Sequence, residues 1–309
     1  MTPQIDNLLA EVDCVLRNHK GLVALGLDMA ANPNNWGLAV MCIDQDFQRA
    51  KLPLLLPQAK INKDSSVSPT LLCRPDIELI RNLLQLVRGS EKVAALAVDV
   101  PFGWPVQHRR FVEHWSASIG WECSELRPSR NSFERRWCDL ALTEKYPQIQ
   151  TLSVGADTLA QAAFMWAHYR TELGAVVEPV DLGEAEFDQR FATFETYPAA
   201  FVKLVAGDFG DYKSRPVVRK QLQGSLRKQY PIETDQRVDE WIDWACHQKG
   251  SPNAFDAFLS ALTAWDYLKW RGGAQDIQLT SPAALLERIP TEQERAIILE
   301  EGWILVRTR

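Results

Sequence analysis

The stretch from Val23 to Val40, VALGLDMAANPNNWGLAV, most constrains how this chain can fold. A strand-like apolar run ends on the carboxylate of Asp28, and a segment rich in Asn and Pro follows. Asn tolerates left-handed dihedrals and Pro presets φ, so this segment has the composition of a turn. A second apolar run, Trp36–Ile43, makes the pair an antiparallel hairpin. A carboxylate at the end of a buried strand is costly unless a cation or donors satisfy it. Asp28 therefore either caps the turn or belongs to a site.

Two later apolar runs also end beside an acid. Lys92–Val100 (KVAALAVDV) is almost wholly apolar, which is typical of a strand buried on both faces, and it contains Asp99. Phe191–Tyr197 is a third candidate core strand and contains Glu195. A helix is predicted between the hairpin and the second run, so those strands are compatible with parallel neighbours. Strands and helices alternate along the chain, which predicts an α/β fold with a mixed sheet flanked by helices.

We predict one domain over residues 1–309, with an N-terminal helix in 1–20. Residues 106–175 are expected to be a helical and irregular insertion. Residues 280–309 are expected to hold a helix with a capping box at Thr291 and Glu294, then a short strand over Gly302–Val306. The other predicted elements are an edge strand over Leu52–Ile61 and helices over Thr158–Leu173, Ala199–Val205, Pro216–Gln229, Thr234–His247 and Asn253–Lys269.

Composition limits the kinds of partner and compartment. The formal net charge is −6 and the sequence pI is about 5.5, so a polyanion would have to bind at a local patch. The six cysteines form no CxxC pair, which favours reduced thiols in a cytoplasmic protein. No apolar run approaches the roughly 20 residues of a membrane span, and the N-terminus lacks the layout of a signal peptide. We expect no association with a membrane.

Four acids occupy special positions in these elements. Asp28, Asp99 and Glu195 lie at strand ends, and Asp256 lies in the first turns of a late helix. Hard divalent cations take oxygen ligands, and Mg²⁺ binds through a few carboxylates together with substrate phosphates. Two such ions stabilise both the attacking and the leaving oxygen in phosphoryl transfer. The alternative is structural, because Asp99 and the Pro-Phe-Gly after it can form a plain turn and Asp256 can cap a helix.

Eight segments together resemble a family of predicted nucleases, domain-of-unknown-function family 429, within the ribonuclease H-like fold. The most specific of them are the Glu-x-Tyr-Pro-Ala-Ala and Tyr-Lys pieces. The resemblance covers nearly the whole chain from Ala24. The segments are GLD (Gly26–Asp28), AVDVPFGWP (Ala97–Pro105), RWCD (Arg136–Asp139), LSVGADTLA (Leu152–Ala160), FETYPAAFVKL (Phe194–Leu204), DYK (Asp211–Lys213), NAFDAFLSALTA (Asn253–Ala264) and EGWI (Glu301–Ile304).

The resemblance implies a ribonuclease H-like mixed β-sheet with helical insertions and a role for each acid. Its four acids, taken together, would be both the catalytic residues and the ligands of Mg²⁺ or Mn²⁺. Two further pairs would bind the substrate, Arg136 with Asp139 and Tyr212 with Lys213. Arg forks onto phosphate and Lys offers a point charge, so both suit a phosphodiester. An ordinary helical ion pair between Arg136 and Asp139 is the alternative. The acids are Asp28, Asp99, Glu195 and Asp256.

Two segments are candidate nucleic-acid contacts. Arginines and tryptophans alternate between Trp104 and Trp137, a composition that suits base stacking but equally suits core packing. The run Lys213–Lys228 is locally basic, and its alternative is a solvated helix face. DNA and RNA are not distinguished by these features, and neither is the oligomeric state.

The leading hypothesis is a nuclease dependent on Mg²⁺ or Mn²⁺, in which an activated water attacks phosphorus in line. A non-catalytic scaffold of the same fold, binding nucleic acid or protein, is the first alternative. The second alternative is a phosphotransferase of the actin-like fold, which would transfer phosphate from ATP. That fold needs glycine-rich phosphate loops, and no glycine lies between Asp28 and Trp36.

Overall fold

The computed structural model of the chain describes residues 3–30, 32–61, 67–114, 134–154, 159–173, 190–207, 209–234, 236–246 and 252–308. These residues contain eleven α-helices and eight strands. The helices are α1 (Pro3–Asn18), α2 (Ile77–Gly89), α3 (Val106–His114), α4 (Trp137–Lys145), α5 (Leu159–Leu173), α6 (Pro198–Phe201), α7 (Pro216–Gln229), α8 (Gln236–Ala245), α9 (Pro252–Arg271), α10 (Pro282–Leu286) and α11 (Glu292–Glu301). The strands are β1 (Leu22–Asp28), β2 (Gly37–Ile43), β3 (Ala50–Leu56), β4 (Gln58–Ile61), β5 (Val67–Cys73), β6 (Ala94–Asp99), β7 (Phe191–Glu195) and β8 (Ile232–Glu233).

Six of the strands form one mixed sheet in the order β7-β6-β1-β2-β3-β8, and β4 pairs with β5 separately. β1 pairs antiparallel with β2, and β2 pairs antiparallel with β3. β6 is parallel to β1, β7 is parallel to β6, and β8 is parallel to β3. The predicted α/β fold with a mixed sheet is therefore confirmed, as are the hairpin of β1 with β2 and the parallel pairing of β1 with β6.

Both faces of the sheet are covered by helices. Ala24 of β1 packs in a core cluster that includes the buried face of α9. Its neighbours Val23 and Leu25 pack in a second cluster with apolar side chains of α1 and α2. Successive side chains of a strand point to opposite faces, so this division follows directly from the strand geometry. Burial on both faces explains why β1 is a continuous apolar run rather than an alternating one.

Two glycines let α9 lie against the backbone of the hairpin. A Cβ on Gly26 would lie 1.9 Å from the carbonyl oxygen of Ala257, and one on Gly37 would lie 2.1 Å from that of Asn253. No side chain fits at either distance, so glycine is needed at both positions. The first turns of α9 are thereby held close to the end of β1 that carries Asp28.

The predicted edge strand over Leu52–Ile61 is divided between the two sheets. Pro57 lies between β3 and β4, and proline cannot donate to a ladder of backbone hydrogen bonds. β8 borders β3 only at Ala50 and Lys51. The outer edge of β3 beyond Lys51 therefore has no strand partner within the described ranges, which agrees with its predicted position near an edge.

The C-terminal region differs from its prediction in one element. The capping box of Thr291 and Glu294 is confirmed at the start of α11. Instead of a strand over Gly302–Val306, the chain makes a single bridge from Ile304 to Glu195. The amide of Val306 donates to a side chain, the hydroxyl of Thr280, at 2.9 Å. A side chain thus takes a donor that a longer ladder would have used.

The insertion predicted over residues 106–175 contains α3, α4 and α5 in its described portion. Residues 115–133 and 155–158 lie outside the described residues, and with them much of the segment rich in arginine and tryptophan. None of the helices in the described ranges is long and apolar enough to cross a membrane. The cysteines described are free thiols, namely Cys14, Cys42, Cys73, Cys138 and Cys246.

Candidate metal centre

Three aspartates from distant parts of the chain meet at one end of the sheet. Asp28 ends β1, Asp99 ends β6, and Asp256 lies near the start of α9. One carboxylate oxygen from each residue lies within 4.8 Å of the other two. Asp28 and Asp256 are buried, whereas Asp99 is partly exposed. The structure thus joins three of the four predicted ligands in one group, which we call the aspartate group.

The strand register explains how two of these carboxylates meet. Asp28 lies directly opposite Asp99 in the parallel pairing of β1 with β6. Side chains two residues apart share a face of a strand, so Asp28 lies on the same face as Gly26. Asp256 immediately precedes Ala257, whose carbonyl oxygen lies over Gly26. The close approach of α9 therefore delivers Asp256 to the face that carries the other two acids.

Two neighbouring residues on another segment contact the aspartate group through Asp256. The hydroxyl of Tyr212 donates to Oδ1 of Asp256 at 2.7 Å. The Nζ atom of Lys213 lies 2.6 Å from Oδ2 of the same residue. Tyr212 is buried, whereas the Lys213 side chain is 49% exposed. Tyr212 therefore fixes the orientation of the carboxylate, and Lys213 brings a positive charge that solvent and ligands can also reach.

The pKa values reflect a site with more negative than positive charge. Burial raises the pKa of Asp28 well above its ordinary value, and repulsion from Asp99 and Asp256 raises it further. Burial also raises the pKa of Asp99 to about 7, with Lys213 opposing the change and Asp256 and Glu195 adding to it. Burial opposes the charge on Lys213, but attraction to Asp256 and Asp99 outweighs burial and raises its pKa. Three carboxylates facing one ammonium favour the uptake of further positive charge.

Glu195, the fourth predicted ligand, lies outside the aspartate group. In the pairing of β7 with β6 it aligns with Val98, one residue before Asp99. The alternation of side chains along strands therefore does not bring it onto the face of Asp99. Its two oxygens accept from Nη1 and Nη2 of Arg136, each at 2.6 Å, and one also accepts from the amide of Phe102 at 3.0 Å. Burial raises the pKa of Glu195, and Arg136 partly offsets that change.

Arg136, a predicted substrate-binding residue, is buried and fully engaged. Its Nε and Nη2 atoms donate to the carboxylate of Asp139, which is the helical ion pair considered as the alternative. Its terminal nitrogens also donate to Glu195 and to the carbonyl oxygen of Glu301. A guanidinium has five N–H donors, and these contacts use all of them. In this arrangement Arg136 and Asp139 brace Glu195 and offer no donor to a phosphate.

Glu301 is a structural residue that the sequence did not single out. Its Oε1 accepts from the amide of Val106 at 2.7 Å, and its Oε2 accepts from the amide of Trp137 at 2.6 Å. These amides begin α3 and α4, and a carboxylate is favourable at the N-terminus of a helix. Glu301 itself ends α11, where an acid is unfavourable for its own helix. That local conflict is the signal by which the sequence could have identified it.

Arg219 is a second residue that sequence reasoning missed. It is 2% exposed, and its Nη1 donates to the carbonyl oxygens of Tyr212 at 3.0 Å and Lys213 at 2.6 Å. Arg219 thus holds the backbone of the two residues whose side chains contact Asp256. Its spacing with Leu222 and Leu226 places it on the buried face of α7, a signal hidden by the basic composition of the run.

The model of one protein family matches most of the chain. The family is described as "Protein of unknown function (DUF429)", and the match covers residues 26–281. All three members of the aspartate group, and the residues that contact Asp256, fall inside this range. No curated protein and no solved structure matches the chain significantly. The chain belongs to the DUF429 family.

Proposed function

We propose that this protein is a divalent-metal-dependent nuclease that hydrolyses phosphodiester bonds in DNA or RNA. The observation that carries the proposal is the aspartate group, whose oxygens lie within 4.8 Å of one another with Lys213 alongside. The atoms that would coordinate a metal are all carboxylate oxygens, which suit Mg²⁺ or Mn²⁺, whereas zinc sites favour His and Cys. The raised pKa values of Asp28 and Asp99 support the same conclusion, since the group favours added positive charge.

The residues of the site divide into three roles. Asp28, Asp99 and Asp256 would hold the ion, and Asp28 is the best candidate to bridge two ions because both other carboxylates act on it. A bound divalent ion supplies the charge that activates a water and stabilises the charge developing at phosphorus. Tyr212 orients Asp256, and the half-exposed Lys213 would hold a non-bridging phosphate oxygen.

The order and sense of the strands support a ribonuclease H-like fold. β1, β2 and β3 follow one another antiparallel, and β6 and β7 extend the sheet in parallel on the other side of β1. Acids at the ends of β1 and β6 and near the start of α9 match the order that the resemblance implies. Glu195 as a fourth ligand stays a prediction, because Arg136 would first have to release it.

Nucleic acid as the partner is supported by the position of Lys213 at the start of the basic run Lys213–Lys228. Two other cations of that run form ion pairs with neighbouring acids at the protein surface. Lys220 pairs with Asp243, and Arg227 pairs with Asp239. We therefore expect few phosphate contacts, concentrated near the aspartate group.

The test is hydrolysis of a mixed panel of single- and double-stranded DNA and RNA with Mg²⁺ or Mn²⁺. The wild type should produce fragments, chelation of the metal should stop the reaction, and Asp28→Asn should be inactive while still folded. Asp266→Asn is the matched control, because Asp266 is a buried aspartate further along α9. It should retain turnover.

Two outcomes would replace the proposal. A wild type that hydrolyses nothing with either ion, together with an Asp28→Asn variant that unfolds, would favour a non-catalytic scaffold. Consumption of ATP without cleavage of any strand would favour a phosphotransferase.

A further inference from the structure

A small cavity lies beside the aspartate group, between the carboxyl ends of β6 and β7. Its volume is about 50 Å³, and Asp99 forms part of its wall. A site for one water needs about 10–15 Å³ of such volume, so this cavity is larger than a single water requires. Asp99 belongs both to the wall of the cavity and to the aspartate group. A ligand in the cavity would therefore lie next to a phosphate bound at the aspartate group.

The cavity has a buried side and a solvent-facing side. Its lining includes Arg136, Glu195 and Ile304, which are 1%, 3% and 4% exposed. Leu152 also lines it and is 47% exposed, and the partly exposed Tyr197 lies with it toward solvent. A chain of nucleotides could enter past Leu152, but the Arg136–Glu195 ion pair blocks its continuation. The cavity is therefore a dead end with largely apolar walls.

One residue that lines the cavity carries a hydroxyl without a partner in the described ranges. Thr196 is 2% exposed, and its Oγ1 has no hydrogen-bond partner in the part of the protein that the structure describes. Buried hydroxyls are normally hydrogen-bonded, because leaving one unpaired is costly. Thr193 also has a buried hydroxyl without a described partner, but it does not line the cavity. The two threonines therefore form a matched pair for an experiment.

We propose, on the basis of the nuclease function above, that this cavity receives the free end of a nucleic-acid strand. The protein then removes nucleotides from an end rather than cutting within a strand. A terminal sugar presents a small apolar edge and a free hydroxyl, which match the apolar walls and the hydroxyl of Thr196. Each turnover consumes one water. Its oxygen bonds to phosphorus, the bond to the leaving oxygen breaks, that oxygen takes a proton, and one terminal nucleotide departs.

The decisive comparison uses one single strand in linear form and the same strand closed into a circle. With Mg²⁺ or Mn²⁺, the linear strand should be shortened stepwise and the circle should yield no product. Blocking each end in turn with a nucleotide that lacks the terminal hydroxyl identifies which end enters. A circle opened as fast as the linear strand is cut would overturn the inference and leave the nuclease function standing.

The threonine pair tests the assigned hydrogen bond. Thr196→Val keeps the shape of the side chain and removes its hydroxyl, so kcat/KM on hydroxyl-ended strands should fall by up to about tenfold, the effect of one hydrogen bond. On strands without that hydroxyl the same variant should match the wild type. Thr193→Val should match the wild type on both. Equal losses for both variants on both strands would show a structural effect and overturn the role of Thr196.

Failure of the nuclease function has a different signature, which is no hydrolysis of any strand with either ion. In that case binding decides the inference about the cavity. The linear strand should displace a labelled probe strand better than the circle does, and Thr196→Val should reduce that advantage. Equal displacement by both forms would overturn the inference.

Discussion

Helix α9 carries two buried aspartates, and their surroundings make an instructive comparison. Asp256 and Asp266 are about 15 Å apart along the helix. Each accepts a hydrogen bond from a tyrosine hydroxyl, Asp256 from Tyr212 at 2.7 Å and Asp266 from Tyr230 at 2.6 Å. Each also faces a cation, Lys213 at 2.6 Å for the first and Arg307 at 3.4 Å for the second.

The difference between the two sites is their charge balance. At Asp266, one carboxylate faces one guanidinium, which balances the charge even though burial raises the pKa of this acid to about 7. At Asp256, the single ammonium of Lys213 faces two further carboxylates, Asp28 and Asp99. The same local arrangement of tyrosine, acid and cation therefore serves packing at one site and leaves an excess of negative charge at the other. Burial of an acid alone therefore does not identify a functional site, and the excess of negative charge is what distinguishes the aspartate group.

The largest expected effect comes from removing each acid of this pair. Asp256→Asn should lower metal-dependent turnover by about a thousandfold or more, because several kcal/mol of charge stabilisation are lost. Asp266→Asn should lower the melting temperature, because the ion pair with Arg307 is lost, and should leave turnover near that of the wild type. Parallel measurements of kcat and thermal unfolding check both. Comparable loss of turnover in the two variants would remove the distinction between the sites.

A second prediction concerns the response to metal. A divalent ion at 100 times its dissociation constant should stabilise the protein by about 2.7 kcal/mol, which corresponds to about 5 °C in Tm. Asp28→Asn/Asp99→Asn should abolish this increase, and Asp266→Asn should preserve it. Thermal scans with Mg²⁺, Mn²⁺ and chelator provide the measurement. A wild type whose Tm is indifferent to both ions would argue strongly against a metal centre.

The pH dependence of stability should separate the two sites further. Asp99 and Asp266 both have pKa values raised from 3.8 to about 7 in the folded protein. The folded state then binds protons more tightly than the unfolded state, so stability is greatest below pH 4 for these groups and falls as pH rises toward and through 7. Added Mn²⁺ should remove the part of this fall that is due to Asp99, and Asp266→Asn should remove the other part.

The corresponding metal affinity should rise as pH increases through about 7, because Asp99 must be deprotonated to bind. Calorimetric titration of Mn²⁺ at several pH values measures it. An affinity that stays constant across this range would show that Asp99 is not a ligand.

The smallest effect is expected from the residues that support the cation. Lys213→Ala should weaken substrate binding and only partly slow turnover, because a hydrogen bond to a charged group contributes about 1.5–3 kcal/mol. Arg219→Gln should raise KM by a smaller factor with kcat nearly unchanged, because it acts through the backbone of Lys213. In the double variant the two effects should not add, since both act on one contact. Additive effects would show that Arg219 acts elsewhere.

The sequence predicted the elements that have local signatures. The hairpin with Asp28, the buried strand with Asp99 and the helix with Asp256 are each encoded within a short segment, and all are observed. Glu195 also ends its strand as predicted. Its alignment with Val98 depends on how β7 pairs with β6, however, and a strand buried on both faces has no polar alternation to fix its register.

Long-range contacts account for what the sequence did not reveal. Glu301 binds amides 195 and 164 residues earlier in the chain, so no local pattern could indicate its partners. The contact of Arg136 with Glu195 was not predictable for the same reason, because the two residues lie 59 positions apart. Arg136 and Lys213 were grouped as substrate-binding residues from sequence, but only Lys213 is half exposed.

The glycine at position 26 also bears on which ion the centre can select. Any side chain at this position would push α9 away from β1 and move Asp256 from the other two acids. Mg²⁺ requires short bonds of about 2.0–2.1 Å, whereas Ca²⁺ accepts about 2.3–2.6 Å and irregular geometry. Gly26→Ala should therefore shift preference toward the larger ion, as competition between Mg²⁺ and Ca²⁺ would reveal. In the proposed metal centre, the contact between α9 and β1 would set the selectivity for ionic radius.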